Sequence, residues 1–208
     1  MPEVFFNGPA GRIEGRYTES PDPRAPVALV LHPHPLYGGT MNNKVVYSMY
    51  KTLADNNFTV LRINFRGVGR SVGKFDEGIG EMTDAATALD WLQLNNPMAS
   101  GNLIAGFSFG AWIAMQLIMR RPEITHFLTV SPPVNKYDFH FSKQKYIKID
   151  YRIIPGTDHF FREKIDRLNE EIDDYLKIAF NHQTDSTPNN TVKTKTNSKS
   201  PPKKLFLE

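Results

Sequence analysis

Two patterns of hydrophobic and polar residues follow one another along this chain. The first kind is a short, nearly continuous apolar run, as in Val27–His32, which is typical of a parallel strand buried on both faces. The second kind repeats apolar residues every three or four positions, as in Asn42–Asn57 and Glu81–Leu94, which predicts amphipathic helices. Because the two kinds alternate, the sequence predicts an α/β fold, with a mostly parallel sheet and helices on both faces.

The remaining segments extend this pattern. Val4–Gly8 and Arg12–Tyr17 flank a Gly-Pro-Ala-Gly turn and predict an opening β-hairpin. The other predicted strands cover 59–65, 103–105, 126–130 and 148–154, and the other predicted helices cover 111–120 and 161–179. Residues 1–180 are therefore expected to form one domain.

Residues 181–208 have a different composition, rich in Asn, Thr, Ser, Pro and Lys. Such a segment buries too little apolar surface to offset the entropy of ordering it, so it is predicted to be a disordered tail. The alternative is that Leu205-Phe206-Leu207 docks on the folded body. Truncation after Phe180 would then lower the melting temperature.

Charge and composition narrow the possible partners. The net charge of +3 lies in the tail, which contains five lysines and two acidic residues, Asp185 and Glu208. The rest of the chain has no net charge, so we expect no nucleic-acid surface. No apolar run approaches the ~20 residues of a membrane span, and the first residues do not resemble a signal peptide. With no cysteine there is no disulfide framework. We therefore expect a cytoplasmic protein with no membrane partner.

The candidate chemistry centres on Gly106-Phe107-Ser108-Phe109-Gly110. It follows a predicted strand and precedes a predicted helix, which is the context of a nucleophile elbow. In that turn the serine backbone is strained, and side chains two residues to either side would clash. The serine hydroxyl is then exposed at a helix N-terminus, where backbone N–H groups stabilise an oxyanion. The alternative is a serine helix cap beside two incidental glycines.

Together, several motifs resemble the small, lidless predicted hydrolases of the α/β-hydrolase superfamily. They are His32-Pro33-His34-Pro35, Asn64-Phe65-Arg66-Gly67, the Gly-Phe-Ser-Phe-Gly elbow, Ser131-Pro132-Pro133-Val134 and Gly156-Thr157-Asp158-His159. The resemblance covers about residues 4–180. It implies an α/β-hydrolase fold and a Ser-His-acid hydrolase that needs no cofactor. The expected partner is a small-molecule acyl substrate, an ester or thioester, while the oligomeric state is left open.

The residues themselves support the same roles. Ser108 is the candidate nucleophile, and His159, which follows the last predicted strand, is the candidate base in the chain order serine, acid, histidine. Phe109, directly after the nucleophile, is one candidate oxyanion donor. The second donor lies in the His32–Leu36 loop, where the prolines lack an N–H, which leaves His34 or Leu36. The resemblance favours His34.

Two alternatives concern other residues. The His-Pro-His-Pro run could bind a metal, but no cysteine and no cluster of carboxylates accompanies it, so we expect no metal site. Glu81 and Asp84 could belong to a catalytic cluster. The structural interpretation is preferred, in which they favour a helix N-terminus and one of them pairs with Arg66.

The chain departs from the family between its last two predicted strands. Only about fifteen residues separate these two strands, and one parallel crossover alone needs a dozen or more. The segment therefore has no room for a further strand and helix, and one late strand and one helix of the family are missing. The usual triad acid lies in that segment. Glu123, Asp138, Asp150 and Asp158 are the remaining acids between serine and histidine, and Asp138 is the best substitute because it follows a strand at the carboxyl edge.

Two expectations follow from the missing segment. The flanking strands should pair directly or leave exposed edges, which favours a marginal or self-associating protein. The alternative function is a non-catalytic or degenerate hydrolase-fold protein.

Overall fold

The structure is a computed structural model that describes residues 2–137, 149–180 and 204–207. It contains eight strands, one 3₁₀ turn and four α-helices in these regions. The strands are β1 (Glu3–Gly8), β2 (Gly11–Thr18), β3 (Val27–Leu31), β4 (Thr59–Ile63), β5 (Asn102–Phe107), β6 (Ile124–Val130), β7 (Ile149–Arg152) and β8 (Lys204–Leu207). The helices are α1 (Lys44–Asp55), α2 (Ile79–Asn95), α3 (Phe109–Ile118) and α4 (Ile165–Phe180), and the 3₁₀ turn covers Pro35–Tyr37.

The strands form a single sheet in the order β1-β2-β4-β3-β5-β6-β8-β7. The hairpin β1–β2 and the β2–β4 pair are antiparallel, and every other pair is parallel. This confirms the predicted α/β class and its opening hairpin. The carboxyl ends of the parallel strands lie on one edge of the sheet, where the loops after β3, β5, β6 and β7 meet.

Alternate residues of the central strands pack into two cores, one on each face of the sheet. On one face Ala28 and Val30 of β3 pack with α1 and α4, and on the other Val27, Leu29 and Leu31 pack with α2 and α3. All five side chains are fully buried, which explains why β3 is continuously apolar. No helix among the described residues is long and apolar enough to cross a membrane.

The far end of the sheet corrects two expectations. The sequence placed 181–208 in a disordered tail, with docking of Leu205-Phe206-Leu207 as the alternative. Residues 181–203 and 208 lie outside the described residues, whereas Lys204–Leu207 forms β8 inside the sheet. The flanking strands β6 and β7 were expected to pair directly or leave exposed edges, but β8 lies between them and pairs with both. The physical reason is that the spacing of β6 and β7 accommodates one strand. The backbone N–H and C=O groups of a short segment placed there form hydrogen bonds with both neighbours.

Candidate active site

Ser108 lies on the sharp turn between β5 and α3. Its backbone has φ 54° and ψ −116°, a conformation that residues other than glycine rarely adopt. The Ser108 N–H donates a 2.9 Å hydrogen bond to the Val130 carbonyl, which ties the turn to the end of β6. Strain of this kind is held in place by the surrounding sheet and is concentrated at functional sites.

The two glycines of the motif are required by close backbone contacts. A Cβ on Gly106 would lie 2.2 Å from the Gly110 carbonyl oxygen, and a Cβ on Gly110 would lie 2.5 Å from the Leu31 carbonyl oxygen. Neither neighbour is a flexible side chain that could move away. The nucleophile-elbow geometry is therefore present, and a serine cap beside incidental glycines does not describe it.

His159 is brought to Ser108 by the loop that follows β7. Its Nε2 lies 3.0 Å from Ser108 Oγ, within hydrogen-bond distance. The ring rests against Phe107, with centroids 5.2 Å apart, and against Phe160. Partial burial lowers the pKa of His159 below its ordinary value of 6.5, while the nearby charge of Asp158 opposes that shift and the charge of Lys136 adds to it. The imidazole is therefore neutral at pH 7 and able to accept a proton.

The loop after β3 separates the two candidates for the second oxyanion donor. The Leu36 N–H donates to His34 Nδ1 at 3.2 Å, so it is already engaged. The His34 N–H makes no hydrogen bond to any described residue, and the His34 ring lies 4.9 Å from the Phe109 ring. Phe109 is the first residue of α3, where helix geometry leaves N–H groups without an intrahelical partner. The geometry favours His34 and Phe109.

These groups open into a cavity of about 620 Å³ at the carboxyl edge of the sheet. Its walls combine the elbow and the His159 loop with aromatic and apolar side chains. The lining includes His34, Tyr37, Ser131, Pro132, Pro133, Lys136, Tyr137, Ile153 and Ile154. The sequence interpretation missed Lys136, because a single lysine in a loop carries no motif. A cavity of this size admits a small molecule.

Three of the four candidate acids are engaged elsewhere. Glu123 binds Arg121 at 2.6 Å, and Asp150 binds Arg152 at 2.9 Å. The Asp158 carboxylate accepts the N–H groups of Phe160 and Arg162, both at 3.1 Å, which stabilises the turn after His159.

Asp138, the substitute that the sequence favoured, lies outside the described residues. Within the described residues no carboxylate bonds to the His159 ring. No triad acid is therefore assigned among the described residues.

His32 lies in a buried, hydrogen-bonded environment. Its ring is fully buried, Nδ1–H donates to the Pro33 carbonyl at 2.6 Å, and Nε2 accepts the Phe65 N–H at 3.0 Å. Burial lowers the pKa of His32 to about 4, so the ring is neutral with both nitrogens occupied. Among the described residues, no three histidine or acidic side chains are grouped so as to hold a metal ion.

The acidic residues at the start of α2 are structural, as preferred from the sequence. The Arg66 guanidinium binds the buried Asp84 carboxylate through two bonds of 2.9 and 2.8 Å. Glu81 accepts the N–H groups of Asp76 and Gly78 and fixes the turn before the helix. This cluster packs the loop after β4 against α2 and takes no part in the Ser108–His159 pair.

Solved structures with the same fold include α/β-hydrolases. ATU1826 from Agrobacterium tumefaciens, of unknown function, is 45% identical with a TM-score of 0.83, covering 90% of this chain and 100% of that one. XC6422 from Xanthomonas campestris, an α/β serine hydrolase without a lid, is 25% identical with a TM-score of 0.74, covering 90% and 96%. Fold and site therefore define a small, lidless α/β-hydrolase.

The family described as X-Pro dipeptidyl-peptidase (S15 family) matches residues 19–192, and the chain belongs to it. The uncharacterized protein RP471 from Rickettsia prowazekii is 58% identical over 211 residues, covering 85% of this chain and 89% of that protein. The lysophosphatidylserine lipase ABHD12 from Bos taurus is 28% identical over 171 residues, covering 79% of this chain. This chain spans only 41% of the length of that lipase.

The alignment with RP471 includes residues of that relative that this chain lacks. It extends over 211 residues, whereas 85% of this 208-residue chain is about 177 residues. The relative therefore has roughly 34 residues without a counterpart here. That difference is about the size of one strand and one helix with their connections.

Proposed function

We propose that the protein is a serine hydrolase that cleaves an ester, thioester or related acyl bond. The observation that carries the proposal is the 3.0 Å distance between Ser108 Oγ and His159 Nε2 on a strained elbow. A serine hydroxyl becomes an effective nucleophile only when a base within hydrogen-bond reach removes its proton. The Bos taurus relative is named a lipase, which supports an acyl ester as the substrate class.

In this proposal the chain's own groups carry out the two halves of acyl transfer. His159 Nε2 takes the Ser108 proton as the hydroxyl oxygen attacks the acyl carbon, and the imidazolium then returns that proton to the leaving group. The N–H groups of Phe109 and His34 stabilise the negative oxygen of the tetrahedral intermediate, and loss of one such donor typically costs ~10²–10³-fold in rate. Water then attacks the acyl-enzyme: His159 Nε2 takes a proton from the water and gives it to Ser108 Oγ as the bond from Ser108 to the acyl group breaks and the acid is released.

Covalent labelling tests the nucleophile. We expect a fluorophosphonate probe to label the wild-type protein, and Ser108→Ala to abolish labelling while the fold is retained, because a methyl group fits where the hydroxyl lies. Ser131→Ala is the matched control, since Ser131 is another serine in the cavity wall, and it should still be labelled. Labelling that persists in Ser108→Ala would contradict the assignment.

Substrate panels then separate acyl esters from peptides. p-Nitrophenyl acetate and a thioester report on the proposed acyl chemistry, and Ala-Pro p-nitroanilide reports on the reaction in the family's description. We expect turnover of the first two and little of the third.

A second candidate function is a non-catalytic descendant that binds a small molecule in the same cavity. It is favoured by one observation: no described carboxylate bonds to the His159 ring. Without an acid, the imidazole lacks the group that holds its tautomer and stabilises the imidazolium. A wild-type protein that is folded but neither labelled nor active on any ester would support this candidate.

Asp138→Asn tests whether the proposed acid acts on His159. If the Asp138 carboxylate supports the imidazole, its conversion to an amide should lower kcat by up to ~10⁴-fold with little change in melting temperature. The measurement is ester turnover, with Asp166→Asn as a control acid on α4. Unchanged turnover would remove Asp138 from the mechanism and leave His159 without an acid.

A further inference from the structure

The position of β8 in the sheet connects the C-terminal residues to the active site. Lys204–Leu207 pairs in parallel with Phe127–Val130 of β6 on one side and with Ile149–Arg152 of β7 on the other. Neighbouring strands lie ~4.8 Å apart, so β6 and β7 are separated by about twice that distance and cannot bond directly. Among the described residues, β8 is the only strand that β7 pairs with.

His159 depends on β7 for its position. Seven residues lie between Arg152 at the end of β7 and Phe160, and they form the loop that carries His159 to Ser108. Ser108 needs no such support, because its elbow is formed by β5 and α3 and bonded to β6. The nucleophile and its base thus stand on opposite sides of β8.

One other element anchors β7. The Arg152 guanidinium binds the Glu171 carboxylate of α4 at 2.9 Å, and the Lys164 ammonium binds the Pro155 carbonyl at 2.5 Å. Helix α4 is fixed in turn to α1, where Asn56 donates to Asp173 at 2.9 Å. These contacts hold β7 and its loop to the helical layer, but they do not set the spacing of β7 from β5 and β6 within the sheet.

We propose that Lys204–Leu207 of this chain replaces an internal strand of the family and positions His159 by holding β7 in the sheet. The sequence predicts that a strand is missing after β6, and the alignment with RP471 leaves roughly 34 residues of that relative without a counterpart here. Lys204–Leu207 joins the sheet by strand addition, in which main-chain hydrogen bonds supply the binding energy. The catalytic consequence rests on the proposed function, whereas the placement of the strand does not.

Two full-length variants test the consequence for activity. Phe206→Pro removes a backbone N–H from the middle of β8, and proline is excluded from central strands for that reason. Phe206→Val keeps the N–H and a good strand former, so it controls for loss of the phenyl ring. We expect Phe206→Pro to lose on the order of a hundredfold in ester turnover, the size of effect that a ~1 Å misplacement causes. Phe206→Val should stay within a fewfold of wild type.

A peptide supplied in trans gives a readout that general destabilisation would not give. Adding the peptide Pro201–Glu208 to Phe206→Pro should restore turnover, whereas the same peptide with the Phe206→Pro change should not. Wild-type turnover in Phe206→Pro would overturn the positioning role.

Hydrogen exchange of the wild-type chain tests the placement itself, whether or not the protein is an enzyme and whether or not a variant folds. We expect slow exchange for amides of Lys204–Leu207 and of Ile149–Arg152, in a protein that sediments as a monomer. Fast exchange at Lys204–Leu207 would overturn the proposal. Slow exchange only in a dimer would also overturn it, because the strand would then come from a second copy.

Discussion

Lys136 lies in the wall of the cavity, and its positive charge lowers the pKa of both His34 and His159. The base of the proposed mechanism is therefore held neutral by two causes, partial burial and a nearby cation. Asp158 acts in the opposite direction, because its negative charge favours the imidazolium.

We predict that Lys136→Gln shifts the acidic limb of the pH–rate profile. Removing the cation raises the pKa of His159 towards its ordinary value, so a larger fraction of the base is protonated at a given acidic pH. kcat/KM should therefore fall in the variant below neutral pH and match wild type at alkaline pH. The measurement is log kcat/KM for a neutral ester from pH 5 to 9.

Lys51→Gln is the control for this change, because Lys51 is an exposed lysine on α1 that pairs with Asp55. It removes the same net charge away from the cavity, so its profile should overlay that of the wild type. A profile of Lys136→Gln that moves to lower pH would contradict the assigned influence of Lys136.

At the scale of elements, the turn from β5 into α3 and the loop after β7 were predictable from local sequence. The Gly-x-Ser-x-Gly spacing requires a sharp turn wherever a buried strand meets a buried helix, and the structure has that turn at Ser108. The observed helix ends differ from the predicted ends by one to four residues. The largest difference is at α4, which begins at Ile165, whereas its predicted apolar face included Phe161. Phe161 is buried before the helix begins, with φ 52°.

We predict that Gly110→Ala destabilises the elbow. The added Cβ would lie 2.5 Å from the Leu31 carbonyl oxygen, so β3 or α3 must shift. Overpacking of this kind costs ~1–3 kcal/mol or more, to be measured as the free energy of unfolding in urea. Gly101→Ala is the matched control, because its Cβ meets only the Thr125 hydroxyl at 3.2 Å. Equal stability of the two variants would show that the contact at Gly110 is relieved without cost.

At the scale of the whole molecule, the mostly parallel character of the sheet was predictable, but the arrangement at its far end was not. Alternation of strands and helices fixes a parallel sheet because each crossover returns the chain to the same edge. Strand β8 could not be found in this way, because four residues in a polar segment carry no detectable period and no turn signal links them to β6 or β7. The loss of the segment that carries the usual acid is inferred only from the short spacing after Val130, and the spacing does not reveal what replaces it.

Because of strand β8, the active site depends on pairing between segments that are far apart in the sequence. Lys204 lies beside Phe127 and Ile149, which precede it by 77 and 55 residues. Contacts of such sequence separation form slowly, because loop-closure entropy is lost before the pairing compensates for it. The elbow depends on pairing of similar range, since Gly106 lies beside Leu31, which precedes it by 75 residues. Assembly of both Ser108 and His159 therefore waits for contacts between segments that are far apart in the sequence.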